Sequence, residues 1–191
     1  EDKQEGKQED KEESKSETDD TAKPGKKTDT KSLIIKPISD PTIVEHDLKA
    51  LIPKDYVLND TERLNIYRRI FEAVNTDELE TIREELRDRF GDHLEDVENL
   101  FKLVELKIEA TFLGLEKITI NDNNISLQFP KDKEHPVFKS EFFGRIIETI
   151  SNDKSGKYKI AGDKETLVIE VRVKSIDDID RLDELNKVLS L

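Results

Sequence analysis

At 191 residues the chain has room for one ordinary domain plus appendages. Its formal net charge is −13 and no basic stripe is available to neutralise phosphates, which argues against nucleic acid or an anionic membrane as a direct ligand and for a basic protein surface as partner. Cysteine is absent, so disulfides, thiolate zinc sites and a cysteine nucleophile are excluded, and no apolar run approaches the roughly 20 residues of a membrane span.

In chain order, residues 1–32 hold no apolar side chain larger than Ala22. A mixed-charge run of this kind cannot bury enough apolar surface to offset the entropy of ordering, so it reads as a disordered, low-complexity linker or tail. Methionine is missing even at position 1, and the chain therefore reads as beginning inside something larger. Residues 33–50 carry Pro37 and Pro41 around short β-branched stretches and read as an extended connector or edge strand. The compact domain is expected over 51–191.

Asn59, Asp60 and Thr61 offer capping oxygens to a first helix with Leu64, Tyr67, Ile70, Phe71 and Val74 as its apolar stripe. Thr76 begins a second, with Leu79, Ile82, Leu86 and Phe90, stopped by Gly91. The third and most apolar is predicted from His93 to about Leu113, lined by Leu94, Val97, Leu100, Phe101, Val104, Ile108 and Phe112, with Gly114 ending it. The period then changes to two. Strands are predicted at 116–120 and 124–129 across Asn121, Asp122 and Asn123, and at 157–161 and 166–173 across Gly162 and Asp163. A helix over 137–151 separates the hairpins, and Ser175 is the predicted cap of a last helix with Ile176, Ile179, Leu182, Leu185 and Leu189 inward. The expected class is α+β: three helices, then β-β-α-β-β-α, with a small, mainly antiparallel sheet.

Chemistry-bearing patterns are few. The seven glycines fit neither phosphate-binding frame, so no nucleotide cofactor is expected. His46, His93 and His135 lie far apart and lack a ligand partner at metal spacing, so no metal is expected. Ser32, Ser140 and Ser151 sit in no nucleophile elbow, and the abundant carboxylates fall on predicted exposed helix faces. The piece reads as non-catalytic. Glu85 and Asp88, three apart on the second helix, share a face and form a candidate protein-interface pair able to present a fork to arginines; the alternative is intrahelical pairing with Arg89 or plain solvation.

The segment ALIPKDYVLNDTERLNIYRRI and the longer DELETIREELRDRFGDHLEDVENLFKLVELKIEATFLGLEKI resemble the C-terminal TRCF domain of the bacterial transcription-repair coupling factors, Mfd. The likeness covers about 43–191, with its specific motifs running through Ile118. It implies a domain that follows the motor of a cytoplasmic, ATP-driven DNA translocase, one that displaces stalled RNA polymerase and recruits the excision-repair protein UvrA. In such factors the domain folds back on an N-terminal UvrB-like module, covers its UvrA-binding surface and restrains the motor. Two acidic residues of an E-L-x-D-R-F motif pair with arginines of that module, and here those positions are Glu85 and Asp88. The polar run at 1–32 departs from the family, which passes directly from motor to domain, and it looks like an inserted linker. The reading from another class is a constitutive scaffold module that binds an unrelated basic protein.

Overall fold

The computed structural model describes residues 40–175 and 177–191; the tail at 1–32, the connector up to 39 and Ile176 lie outside the described residues. Asn59 caps α1 (Asp60–Glu72), its side-chain oxygen accepting from the Glu62 N–H at 2.9 Å. Asn75 does the same for α2 (Thr76–Phe90), accepting from Glu78 at 2.8 Å, while the Glu78 carboxylate accepts in return from the Val74 N–H and the Asn75 side chain. α3 (Glu95–Leu113) begins two residues later than the sequence pattern suggests and ends at Gly114, whose left-handed backbone (φ 83°) returns its N–H to the carbonyls of Ala110 and Thr111.

The buried face of α1 keeps Tyr67 and Ile70 of the predicted stripe and adds Ile66. Ile66 and Ile70 are inward, 2% and 0% exposed, whereas Leu64, Phe71 and Val74 face solvent. The inward pair is selected by the segment that α1 packs beneath. Tyr67 fixes the rotation, its hydroxyl accepting from the Ile52 N–H at 2.6 Å, and it brings Ile52 and Val57 over Ile66 and Ile70 in one cluster. α2 contributes Leu79, Ile82 and Leu86 to that cluster as expected.

α3 is buried on two sides, which is why it reads as the most apolar helix. Val97, Leu100, Phe101, Val104 and Ile108 complete the helical core, while Leu103, Leu106 and Ala110 belong to a second core beneath the sheet. A helix of this length runs about 28 Å at 1.5 Å per residue, so it forms the shared wall of both.

The sheet has five strands in the order β1-β2-β3-β5-β4. These are β1 (Ile43–His46), β2 (Lys117–Asn121), β3 (Asn124–Gln128), β4 (Tyr158–Gly162) and β5 (Leu167–Arg172). All pairings are antiparallel except β1 with β2. By that order β1 is an edge strand, one of the two readings the sequence allows for 33–50. Thr42 pins its entry, donating its N–H to Thr111 Oγ1 at 3.0 Å and its hydroxyl to the Leu115 carbonyl at 2.8 Å. Register lines up Ile118, Leu127 and Ile169, then Ile120, Ile125 and Val171, and all six are fully buried. The alternate residues Thr119, Ser126 and Glu170 lie on the partly solvated face, the pattern of a sheet covered on one side.

The helix predicted over 137–151 is split by Ser140. A 3-10 turn occupies Pro136–Lys139, and α4 (Glu141–Asn152) starts after Ser140, whose Oγ accepts from the Phe143 N–H at 3.1 Å. α5 (Asp178–Leu189) is capped by the backbone of Asp177 rather than by Ser175, which instead accepts from the Asp177 N–H. Leu182, Leu185 and Leu189 are inward, but Ile179 is 40% exposed.

The β4–β5 turn depends on Gly162. Its φ is 104°, and a Cβ placed there would lie 2.0 Å from the Thr166 carbonyl oxygen. Gly162→Ala is expected to lose about 1–3 kcal/mol through strain and turn distortion. Urea denaturation checks this, with Gly156→Ala, where nothing lies within 4 Å, losing less.

Candidate functional site

The E-L-x-D-R-F stretch occupies the last turns of α2, and its two acidic residues meet different fates. Glu85 turns toward α1. Arg69 donates to both of its oxygens, at 3.0 and 2.6 Å, and Arg89 adds a third hydrogen bond at 3.1 Å. Arg89 also bonds Glu62 of α1, closing a four-residue lattice between the helices. The hydrogen bond from Arg69 holds the Glu85 carboxyl below its usual range, against the effect of burial and with help from Arg89. The same bond raises Arg69 further above its ordinary value. Asp88 is exposed, and its side chain makes no hydrogen bond or ion pair within the described residues.

The two carboxylates therefore do not present one free fork. The intrahelical pairing of Glu85 with Arg89 is present, and the cross-helix pairing with Arg69 joins it. An i,i+4 spacing made the first legible. Arg69 and Glu85 are 16 residues apart, so only the packing of α1 against α2 brings them together. Two residues before Glu85, Arg83 is drawn the other way, to Glu80 at 2.7 Å and Glu105 of α3 at 2.8 Å, with its guanidinium 4.9 Å from the Phe101 ring centroid.

The histidines are separate. His46 is exposed on β1. The His93 side chain is buried just before α3, its Nδ1 2.6 Å from Glu98 Oε1 and its ring 5.5 Å from that of Phe101. His135 precedes Pro136, and its Nδ1 accepts from the Val137 N–H at 3.3 Å. Among the described residues no cluster of three or more His, Asp or Glu side chains could hold a metal, and no helix is long and apolar enough to cross a membrane. A groove of about 490 Å³ between the start of α2, α3 and α5 is lined by Asn75, Glu105, Glu109 and Phe112. Burial pushes the Glu109 carboxyl up, and Arg83 donates to Glu105 at 2.8 Å.

Residues 46–140 match the family model described as the TRCF domain. The transcription-repair-coupling factor of Helicobacter pylori is 33% identical over 109 residues, covering 56% of this chain and 11% of that protein. The factor from Rickettsia conorii is 29% identical over 142 residues, covering 74% and 12%, and that from Escherichia coli 32% over 116 residues, covering 61% and 10%. The matched part is thus about a tenth of the length of these relatives. The crystal structure of the C-terminal domain of transcription-repair coupling factor shares the fold at a TM-score of 0.62 and 23% identity, covering 78% of this chain and 92% of that one. With its helical motifs matched by the family model and its α+β architecture by the solved domain, the chain belongs to the TRCF family, as the C-terminal domain of a transcription-repair coupling factor.

Proposed function

We propose that this domain is a non-catalytic regulatory module of a cytoplasmic, ATP-driven DNA translocase that displaces stalled RNA polymerase and recruits excision repair. In this reading it docks on the UvrB-like N-terminal module of the same polypeptide, masks the UvrA-binding surface and restrains the motor. The supporting observation is the last turns of α2, where Asp88 is open to solvent one turn beyond Glu85 in a domain of this family. A carboxylate with no partner of its own is available to a neighbour's guanidinium at no cost to its own fold.

Geometry decides which variant tests this. Glu85→Lys would set a third cation against Arg69 and Arg89, so its effect would mix lost docking with damage to the α1–α2 lattice. Asp88→Lys disturbs no observed contact. In the full-length protein, Asp88→Lys is expected to raise both UvrA affinity and ATPase rate two- to tenfold, since an exposed ion pair contributes about 0–1 kcal/mol and reversal adds repulsion. The double variant with Glu85→Lys should go further. Unchanged UvrA affinity and unchanged ATPase in both would overturn the reading in favour of a scaffold that binds elsewhere.

A further inference from the structure

Glu85 is already occupied. A carboxylate offers about four lone-pair positions, and an incoming guanidinium forms its two-pronged pair by taking one on each oxygen. Arg69 holds such a pair, at 3.0 and 2.6 Å, and Arg89 takes another position at 3.1 Å. A neighbour's arginine can pair with Glu85 in the same way only by displacing a resident. The two residents are not equivalent. Arg89 is anchored a second time, on Glu62, whereas among the described residues Glu85 is the only acceptor of the Arg69 guanidinium. The Arg69 side chain is also 43% exposed, so water can take over its donors once it is displaced.

From this geometry we infer that Arg69 is a built-in competitor for the docking surface: it fills Glu85 in the free domain and leaves when a partner arginine arrives, so that docking exchanges one guanidinium for another. The inference rests on the docking reading above. Exchange of like for like gains little free energy at Glu85, and Asp88, which has no competitor, supplies the new pair. The latch is held weak by the domain's own arginine, and Arg69 sets how weak.

Arg69→Met keeps the aliphatic stem and removes the guanidinium. In the 191-residue chain, carbon-detected NMR should show the Glu85 carboxyl titrating at higher pH in Arg69→Met than in the wild type, since its largest lowering influence is gone. Calorimetric titration with the UvrB-like module should give about two- to fivefold tighter binding for Arg69→Met, the range an exposed pair supports. The gain should vanish in Arg69→Met with Glu85→Gln. Arg68→Met is the control, because it removes the same charge one residue away, from an exposed side chain with no bond to Glu85. Equal gains from Arg68→Met and Arg69→Met would overturn the exchange and leave only a general rise in negative potential. Wild-type binding with no gain in Arg69→Met, or a Glu85 titration that does not move, would also overturn it while leaving the docking reading intact. If neither the wild type nor Arg69→Met binds the module, both fall.

Discussion

Phe101→Ala is expected to destabilise the domain by about 3–5 kcal/mol, the range for deleting a fully buried aromatic ring. Phe101 is 0% exposed and sits where three kinds of contact meet. His93 stacks on it with the ring planes 26° apart, the Arg83 guanidinium lies over it, and Leu79, Ile82 and Leu86 of α2 share its cluster. Removing the ring leaves a cavity, and it also takes away the surface on which His93 stacks and over which the Arg83 guanidinium lies. Since α3 walls both cores, the loss should appear in one cooperative transition rather than in the helical half alone. For a chain of this size each kcal/mol moves Tm by roughly 2–4 °C, so a fall of about 6–20 °C is expected by circular dichroism. A fall under 3 °C, or a biphasic melt with the sheet surviving, would show that the two cores do not depend on α3 in this way.

How much of this was legible in the sequence depends on the range of the interaction concerned. Local signals carried well. Asn59, Gly114, the Asp122–Asn123 turn and the glycine at 162 act through neighbours within a few residues, and the elements they bound lie within about two residues of expectation. The phase of α1 carried only in part: Ile70 and Tyr67 of the expected stripe are inward, but Leu64, Phe71 and Val74 form as good a helical stripe as Ile66 and Ile70 do. Contact with the 52–57 segment, from outside the helix, breaks the tie. The parallel pairing of β1 with β2 joins Ile43 to Lys117 across three helices, and no short-range pattern encodes it. The candidate site divides in the same way. The spacing of Glu85, Asp88 and Arg89 along one helix was readable, but the hold of Arg69 on Glu85 arises from how α1 meets α2. That cross-helix contact separates an occupied carboxylate from a free one.

The second large effect should come from Arg181, a cation that the apolar pattern of α5 gives no reason to notice. It is 3% exposed, at the junction of the end of β1, the β2–β3 turn and the start of α5. One terminal nitrogen binds Asp47, with Asp122 at 3.9 Å, and the other binds Asp178 at 2.5 Å; Asp178 in turn accepts from the Lys49 N–H at 2.8 Å. Burial works against the guanidinium charge, but Asp178 and Asp47 outweigh it and hold Arg181 above its ordinary value. Breaking a buried pair from one side costs about 3–5 kcal/mol when the stranded charge stays buried. Here the Asp47 side chain is 41% exposed and can return to water, but that of Asp178 is 17% exposed and cannot do so fully. Arg181→Met, which keeps the volume, should therefore lose about 2 kcal/mol, and Arg181→Ala about 3 with the added cavity. Adding Asp178→Asn to Arg181→Met should recover part of the loss, because it removes the stranded charge while an amide oxygen still accepts from Lys49. Urea titrations of Arg181→Met, Asp178→Asn and the double variant measure that coupling. A double variant no more stable than Arg181→Met would mean that the cost lies in packing around the arginine stem, and that the carboxylates are bystanders.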